Sequence, residues 1–240
     1  MKTKHLKSTL SVVTATLTLV LFNNFSFFTP KMPVAPSLEG VVEASRVSHA
    51  KELLGRQYAG SDAQKVEGRK SLNYMLYNKV QGQLAAKWKA HARSISRTVI
   101  TEAAKYHLDP VFVLAVIKTE SKFDPETVGS AGEIGLMQIK PDTAEWIAKK
   151  FNIPFKDKNT LLNPESNIKI GLAYMNYLRN QFDKKSVRYV SAYNMGPTNV
   201  RRLIAKNVKP AEYNDRVMKN YAELYSNIAA RSNVTLVAVN

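Results

Sequence analysis

Apolar residues recur at steps of three and four positions along residues 71–231, which is the period of amphipathic α-helices. One such pattern covers residues 71–99, although Gly82 weakens the prediction of a single unbroken helix there. A second covers residues 163–182, and a third follows Pro210. The pattern predicts a mainly helical domain with little or no sheet. The apolar positions are Leu76, Val80, Leu84, Trp88, Ile95 and Val99, then Ile168, Leu172, Met175, Leu178 and Phe182, and finally Tyr213, Val217, Tyr221, Leu224 and Ile228.

The first thirty residues differ from the rest by an uncharged, apolar run that follows three lysines. A basic start and an apolar centre are typical of an export signal. The uncharged stretch 8–30 is also just long enough to span a bilayer, which takes about 20 residues. No small-x-small cleavage site directly follows it. Residues 1–30 are therefore predicted to be a cleaved signal peptide or a retained N-terminal membrane anchor, and both place the body of the protein outside the cytoplasm.

Two segments precede the main domain. Proline and glycine punctuate residues 31–68, which predicts a tether, although residues 41–54 could form one short helix. Residues 69–94 are predicted to be a basic helical extension. Its charge has two interpretations: a solvated helix face that aids solubility, or a docking face for an anionic polymer with Trp88 as an aromatic contact. The basic residues in and just beyond it are Arg69, Lys70, Lys79, Lys87, Lys89, Arg93 and Arg97.

Charge and cysteine content exclude several classes of protein. The 240 residues include 35 Lys and Arg against 19 Asp and Glu, a net charge of +16, and no cysteine. The charge predicts attraction to an anionic polymer or surface without saying which one. The lack of cysteine excludes a disulfide scaffold, a thiol nucleophile, a Cys-ligated metal site and lipid attachment through cysteine. The four histidines have no metal-ligand spacing, so neither a metal nor another cofactor is predicted.

A single carboxylate at the end of a buried helix is the first candidate for chemistry. Asp109 and Pro110 suit the N-cap and the first helical position, and seven apolar residues follow them. Glu120 comes near the end of this helix, where apolar surroundings and the helix dipole should both raise its pKa. A carboxyl group that is still protonated near neutral pH suits acid catalysis of glycosidic cleavage. Alternatively, Glu120 is an exposed helix-end residue paired with Lys118 or Lys122.

Two later segments carry features of a sugar-binding site. Residues 130–144 form a glycine-punctuated loop that leads into a helix, and Gly132 and Gly135 permit close approach of the backbone to a ligand. Gln138 offers amide donors and an acceptor for sugar hydroxyl and N-acetyl groups. Residues 191–197 end one helix and begin another. Tyrosines elsewhere in the domain could line a sugar groove, but their helical spacing predicts core or rim positions: Tyr174, Tyr177, Tyr189, Tyr213 and Tyr221.

Three short blocks together resemble the signature of one family, the lytic transglycosylases of the soluble, lysozyme-like type (family 1). The resemblance covers residues 95–225 and implies a lysozyme-like fold, mainly α within the α+β lysozyme-like superfamily. It places a single globular catalytic domain at residues 95–231, followed by a C-terminal tail at residues 232–240. The blocks, in the family's order and roughly its spacing, are Glu120-Ser121, Gly135-Leu136-Met137-Gln138 and Ala192-Tyr193-Asn194.

The resemblance also implies a reaction. Glu120 matches the family's single catalytic acid and base, and Ser121 matches the neighbour that orients groups in the site. The implied substrate is peptidoglycan, cut at the β-1,4 bond between N-acetylmuramic acid and N-acetylglucosamine. Protonated Glu120 gives its proton to the leaving oxygen, and the substrate's own N-acetyl carbonyl stabilises the cationic sugar. Ionised Glu120 then deprotonates the C6 hydroxyl, which attacks C1 and forms a 1,6-anhydromuramoyl product without consuming water.

Further substrate-binding roles follow from the same resemblance. Met137 and Gln138 match residues that line the glycan groove. Tyr193 matches the tyrosine whose hydroxyl hydrogen-bonds the catalytic carboxylate, and Asn194 lies beside it. Glu133 departs from the family pattern, because it stands where alanine is common. We expect Glu133 to point into solvent rather than to supply a second carboxylate at the site.

Other functions stay open beside this one. A hydrolytic muramidase could use the same fold, and an inactive module could bind peptidoglycan without cutting it. DNA binding through the basic residues is disfavoured by the export signal, so no nucleic-acid partner is predicted. The expected partners are peptidoglycan glycan strands, with inner-membrane attachment possible through residues 1–30. The expected location is the bacterial cell envelope, either free in the periplasm or anchored in the membrane and facing the wall.

Overall fold

The computed structural model describes residues 40–237 of the chain, with side chains as far as residue 230. Within that range it forms ten α-helices, three short 3-10 helices and no extended strand. The α-helices are α1 (Glu43–Leu54), α2 (Asp62–Lys65), α3 (Leu72–Gln83), α4 (Ala92–Lys105), α5 (Pro110–Ser121), α6 (Pro141–Phe151), α7 (Pro164–Gln181), α8 (Ser186–Met195), α9 (Pro197–Ala205) and α10 (Glu212–Val237). The 3-10 helices are Gly55–Tyr58, Ala86–His91 and Lys158–Leu162.

Proline and short polar caps set the starts of the helices that carry the site. Proline is the first residue of α5, α6, α7 and α9. The Asp109 carboxylate accepts the N–H of Val111 at 2.8 Å, and the Asn163 side chain accepts the N–H of Ser166 at 2.8 Å. These caps satisfy backbone donors that have no partner within the helix. The predicted helix starts at Asp109 and Asn163 are thereby confirmed.

Helix α5 lies at the centre of the core. Residues 111–117 are each at most 1% exposed, because α10 packs on one side of this helix and α4 on another. Helix α4 also packs against α7, which in turn contacts α6 and α8. A helix that is apolar all round was expected to be buried, and it is. The buried helix holds Glu120 in a fixed place one residue before its end.

The long helical pattern at residues 71–99 is divided into separate elements. Helix α3 ends at Gln83, one residue after Gly82, and the 3-10 helix Ala86–His91 separates it from α4. The apolar positions of α3 are nevertheless buried against α4, with Leu76 and Val80 in the core. The basic segment 69–94 is therefore part of the domain rather than an extension outside it.

The segment expected to be a tether is largely folded. Residues 43–65 form α1, a 3-10 helix and α2, which pack against the helical core, and Ala50, Tyr58, Ala63 and Val66 are buried. Apolar periodicity did not reveal this, because two of the most buried positions of α1 are occupied by Arg46 and His49. The predicted tether at residues 31–68 is wrong for this part. Its first residues lie outside the described range, as does the predicted signal or anchor at residues 1–30.

A buried polar network joins α1 to the central helix and to α10. The Arg46 guanidinium donates to the Tyr225 hydroxyl at 2.8 Å. The hydroxyls of Tyr221 and Tyr225 donate to Oδ2 of Asp109 at 2.6 and 2.8 Å. The N–H of Asp109 donates to Nδ1 of His49 at 3.0 Å. The N-cap of α5 is thus held by α1, which precedes it in the chain, and by α10, which follows it.

The C-terminal end also differs from expectation. Helix α10 begins at Glu212 and continues to Val237, so most of the expected tail at residues 232–240 continues this helix. The buried positions Tyr213, Val217 and Tyr221 confirm the predicted closing helix. None of the helices between residues 40 and 237 has the length and apolar character needed to cross a membrane.

Candidate active site

A cavity of about 410 Å³ opens at the end of α5. Glu120 lines it from α5, Glu133 and Gln138 line it from the loop between α5 and α6, and Tyr193 and Asn194 line it from the end of α8. The three sequence blocks that carry the family resemblance therefore meet at one place. Four of the six predicted site residues reach the cavity wall, and the other two, Ser121 and Met137, lie behind it.

The Glu120 carboxyl group has the properties of a general acid. Burial raises its pKa from an ordinary 4.5 to about 7, and the negative charge of Glu133 acts in the same direction. A hydrogen bond from the Tyr213 hydroxyl to Oε1, together with the positive charge of Arg216, opposes this rise. The predicted increase in pKa is confirmed, and burial is its main cause. Near neutral pH, both the protonated and the ionised form of Glu120 are populated.

Tyr213, rather than Tyr193, is the tyrosine that contacts the candidate acid. The Tyr193 hydroxyl donates to the backbone carbonyl of Met137 at 2.9 Å. The expected hydrogen bond from Tyr193 to Glu120 is therefore wrong in this structure. Tyr213 was missed because its helical spacing predicted a core position, and it is indeed buried. The only available signal was that a buried tyrosine hydroxyl needs a hydrogen-bond partner, and the sequence does not say which one.

Met137 supports the site from beneath and does not line the groove. Its side chain is fully buried against Gly171, where a β-carbon would lie 2.5 Å from Sδ of Met137. Its N–H donates to Oδ1 of Asn167 at 2.8 Å, and its carbonyl accepts from Tyr193. The predicted groove-lining role of Met137 is corrected to one of holding Tyr193 and the loop in place.

Gln138 lies at the cavity with its amide donors already occupied. Its Nε2 donates to the carbonyls of Thr127 and Gly135, both at 2.9 Å. Its backbone has a φ of 46°, in the left-handed region, so the loop turns sharply at this residue. The side-chain oxygen is the group left to face a ligand. The structure thus narrows the expected role of Gln138 from donor and acceptor to acceptor alone.

Ser121 fastens the end of α5 to the glycine-punctuated loop. Its side chain is buried, and the hydroxyl donates to the carbonyl of Leu136 at 2.8 Å. Lys122 follows in a left-handed conformation that ends the helix. Ser121 therefore acts on the site through the position of the loop and of its neighbour Glu120.

Glu133 reaches the same cavity as Glu120, which corrects the expectation that it points into solvent. It lines the same cavity as Glu120 and raises the pKa of that residue. Its Oε2 accepts the N–H of Ala131 at 3.1 Å, and its Oε1 lies 3.7 Å from the Lys140 ammonium. The compact turn between Gly129 and Glu133 directs the side chain inward, and a β-carbon at Gly129 would lie 2.5 Å from Oε2.

The site offers no arrangement for a metal ion. Among the residues that the structure describes, no group of three or more His, Asp or Glu side chains is placed to hold one. The groups that line the cavity include carboxyl, hydroxyl and amide side chains, which can donate a proton, accept one and form hydrogen bonds with a polar ligand.

Comparisons with known proteins agree with this arrangement. The family described as "Transglycosylase SLT domain" matches residues 97–216. The soluble lytic murein transglycosylase of Escherichia coli K12 is 40% identical over 97 residues, which are 40% of this chain and 15% of that protein. The membrane-bound lytic murein transglycosylase C of Histophilus somni strain 2336 is 34% identical over 110 residues, covering 42% of this chain and 30% of that protein.

The fold is shared with a solved structure. The crystal structure of the 70 kDa soluble lytic transglycosylase of Escherichia coli superimposes with a TM-score of 0.52 at 24% identity, over 78% of this chain and 35% of that chain. The likeness confirms the predicted mainly helical, lysozyme-like fold. The chain spans less than two fifths of each of these relatives, so it corresponds to one part of them.

Proposed function

The chain belongs to the transglycosylase SLT domain family, and on that premise we propose that it is a peptidoglycan lytic transglycosylase. It cleaves the β-1,4 bond between N-acetylmuramic acid and N-acetylglucosamine in glycan strands. The observation that carries the proposal is the state of Glu120, a carboxyl group with a pKa of about 7 at the wall of the cavity. Glycosidic cleavage needs an acid that keeps its proton near neutral pH.

In the first step, protonated Glu120 transfers its proton to the oxygen of the leaving N-acetylglucosamine. The bond from C1 to that oxygen breaks, and the 2-acetamido carbonyl oxygen of the muramic acid bonds to C1 to give a cyclic oxazolinium ion. Glu120 is left ionised, and the hydrogen bond from Tyr213 and the charge of Arg216 stabilise that form. Tyr213 and Arg216, which lower the pKa of Glu120, thus stabilise the ionised carboxylate that this step produces.

In the second step, ionised Glu120 accepts the proton of the C6 hydroxyl of the same muramic acid. The C6 oxygen bonds to C1, and the bond from C1 to the acetamido oxygen breaks. The product is a 1,6-anhydromuramoyl end, and Glu120 regains its proton. A single carboxyl group completes the cycle because its pKa lies close to neutrality, where proton loss and gain are both accessible.

The remaining polar groups of the cavity bind the substrate. We assign the side-chain oxygen of Gln138 to accept a hydrogen bond from a sugar hydroxyl or N-acetyl N–H group, since its amide donors are engaged within the loop. Asn194 also lines the cavity, and its side chain is exposed. Ser121, Met137 and Tyr193 hold the loop against α5 and α8. The reaction requires no cofactor.

The location follows from the substrate. Peptidoglycan lies outside the bacterial inner membrane, so the enzyme acts in the cell envelope after export directed by residues 1–30. The net charge of +16 favours retention on an anionic wall. Fractionation of cells that produce the full chain tests this assignment, because a retained anchor keeps the protein with the membrane and a cleaved signal releases it.

Analysis of the products tests the proposed reaction. Purified peptidoglycan is digested with the wild type and with Glu120→Gln. The muropeptides are then separated, and their masses are measured by mass spectrometry. We expect anhydromuramoyl ends from the wild type and none from the variant. Glu126→Gln is the matched control, because Glu126 is an exposed residue of the loop that follows α5, lies outside the cavity and pairs with Lys87.

The two alternatives give different results in the same experiment. A muramidase gives only products with a reducing end, each heavier by one water than the anhydro form. An inactive binding module gives no new ends, although the protein still sediments with the wall. Either result contradicts the transglycosylase proposal, and the E120Q variant shows whether any new ends depend on the assigned acid.

A further inference from the structure

The catalytic cavity contains two carboxylates, whereas the reaction proposed above uses one. Glu120 and Glu133 approach the cavity from different elements, the end of α5 and the loop that follows it. The two are close enough for the charge of Glu133 to raise the pKa of Glu120. Glu133 has no role in the transglycosylase cycle proposed above.

Two contacts hold the Glu133 carboxylate in place at the cavity. The N–H of Ala131 fixes one carboxylate oxygen, and the Lys140 ammonium lies 3.7 Å from the other. The side chain remains about a quarter exposed, with 26% of its surface accessible. It therefore touches both the cavity and solvent, so a water molecule can reach it while a sugar occupies the site. Inverting glycosidases place a second carboxylate where it can activate the attacking water.

The oxazolinium intermediate has two competing nucleophiles. The C6 hydroxyl belongs to the same sugar, and well-oriented intramolecular attack has an effective molarity of about 10⁵–10⁸ M. An unassisted water molecule cannot compete with that advantage. A water molecule held and deprotonated by a general base gains about 10²–10⁴-fold, which turns an undetectable side reaction into a minor one.

We propose that Glu133 activates water in the catalytic cavity, so that the enzyme also hydrolyses a minor fraction of the bonds it cleaves. This inference rests on the proposed transglycosylase function, because both routes begin with the same protonation by Glu120. Glu133 accepts one proton of the water, the water oxygen bonds to C1, and the bond from C1 to the acetamido oxygen breaks. The product is a reducing muramic acid end. Glu133 releases its proton to solvent, and Glu120 takes one up, so that one water is consumed.

The ratio of the two products separates this role from a purely electrostatic one. Loss of the Glu133 charge also lowers the pKa of Glu120, which makes ionised Glu120 a weaker base toward the C6 hydroxyl. This electrostatic effect slows formation of the anhydro product and therefore raises the ratio of reducing ends to anhydro ends. Loss of a water-activating base lowers the same ratio, so the direction of the change separates the two roles.

Digestion in water enriched in heavy oxygen tests the proposal. Existing reducing ends of the peptidoglycan are first removed with borohydride, and new ends are reduced as soon as the digestion stops. Wild type, Glu133→Gln and Glu126→Gln are compared. We expect labelled reducing ends from the wild type as a minor product, and a fall of at least about tenfold in the ratio of labelled to anhydro ends in E133Q. E126Q should keep the wild-type ratio.

Each outcome bears on one of the two proposals. The anhydro product of E133Q serves as an internal measure of folding, and the glutamine still offers an oxygen to the N–H of Ala131. Absence of labelled ends from the wild type, or an unchanged ratio in E133Q, overturns the role of Glu133. Absence of anhydro ends from the wild type overturns the transglycosylase proposal instead. In that case, the dependence of labelled ends on Glu133 still decides whether Glu133 is the water-activating base.

Discussion

The hydroxyl of Tyr213 donates a hydrogen bond to Oε1 of Glu120, a residue 93 positions earlier in the chain. Helix α10 thereby contributes to a site whose other parts include α5, the following loop and α8. Burial alone makes the Glu120 carboxyl a weaker acid, and this hydrogen bond partly offsets the effect. The balance places the pKa at about 7, where one group can act first as acid and then as base.

Replacement of Tyr213 by phenylalanine should raise the pKa of Glu120 above its wild-type value. The hydrogen bond favours the ionised form, so its loss favours the protonated one. In a profile of rate against pH, the alkaline limb should move to higher pH. The rate at the optimum should fall about tenfold or more, because a hydrogen bond to a charged group is worth about 1.5–3 kcal/mol.

Tyr193→Phe is the matched comparison for this experiment. Tyr193 is also a buried tyrosine at the site, but its hydroxyl donates to the carbonyl of Met137. The Y193F variant should lose some activity through a less well held loop, while its alkaline limb stays where it is in the wild type. A shift of the alkaline limb in Y193F and none in Y213F would show that Tyr193, and not Tyr213, sets the pKa of Glu120.

Glu120 should make the protein less stable at alkaline pH than a neutral residue would. Its pKa is about 7 in the folded state against 4.5 ordinarily, so its ionisation disfavours folding. The stability that its protonated form contributes is fully present below pH 4.5 and is lost as the pH rises through 7. The two pKa values correspond to a free-energy difference of about 3 kcal/mol.

Denaturant titrations of the wild type and Glu120→Gln at several pH values measure this difference. The E120Q variant should have the larger free energy of unfolding at pH 8, by up to about 3 kcal/mol. The gap should close as the pH falls from 7 towards 4.5. All other titrating groups are common to both proteins, so a gap that does not depend on pH would mean that Glu120 has an ordinary pKa.

The sequence predicted those features of the site that depend on neighbouring residues, and it did not predict those that depend on residues far away in the chain. The position of Glu120 followed from an N-cap, a proline and an apolar run that lie within twelve residues of it. The partner of Glu120 did not, because Tyr213 shares no local pattern with it and its spacing is that of any core residue. The orientation of Glu133 depends on the tight turn between Gly129 and Glu133, whose shape the glycines permit but do not determine.

The folded structure of residues 43–65 was not predicted for a different reason. Periodicity detects apolar residues, whereas α1 is held by buried polar ones. Arg46 and His49 are fully buried, and hydrogen bonds satisfy their polar atoms. Arg46 pairs with Glu43 within α1 and donates to the Tyr225 hydroxyl, while His49 accepts from the N–H of Asp109 and contacts the Tyr189 hydroxyl. Asp109, Tyr189 and Tyr225 lie far from α1 in the chain, so the local sequence does not show that these polar residues are buried.

Removal of the buried guanidinium should destabilise the whole domain. Arg46→Met removes the ion pair with Glu43 and the hydrogen bonds to Tyr225 and to the Ala63 carbonyl. It also leaves the buried Asp109 carboxylate without the charge of Arg46, and removal of the partner of a buried charge costs about 3–5 kcal/mol. Arg56→Met is the control, because Arg56 is exposed and should change the stability by no more than about 0.5 kcal/mol. Urea unfolding followed by circular dichroism gives both values. Equal midpoints would mean that α1 does not stabilise the catalytic domain.

Two glycines in helices should respond to alanine in opposite directions. At Gly171 in α7, a β-carbon would lie 2.5 Å from Sδ of Met137, whose backbone is held by Asn167 and Tyr193. Gly171→Ala should therefore cost about 1–3 kcal/mol, since a packed core resists added volume. It should also reduce activity, because Met137 positions the loop.

Gly82 provides the matched control. It lies within α3, and a β-carbon there would meet nothing within 4 Å. Gly82→Ala should stabilise the protein by about 0.5–1 kcal/mol, because alanine loses less backbone freedom on folding. Thermal melting of both variants checks the pair, and a stabilising effect of G171A would contradict the close contact with Met137.

The exposed cations of the segment 69–97 should hold the enzyme on an anionic wall. Lys70, Lys89 and Arg93 are exposed there, and Trp88 lies half-buried beside His91. Replacement of these three cations by glutamine should weaken retention on isolated peptidoglycan at low salt. The loss should disappear near 1 M salt, where the screening length falls from about 10 Å to about 3 Å. Cleavage of small soluble muropeptides should not change.

A second triple variant shows whether position matters or only net charge. Lys184, Lys185 and Lys209 are also exposed, but they lie around a separate cavity between α8 and the loop that follows α9. Their replacement by glutamine lowers the net charge by the same amount. If the segment 69–97 is a docking face, only the first variant loses retention on the wall. If both variants lose retention equally, overall charge holds the enzyme, and if neither does, these cations serve only as a solvated surface.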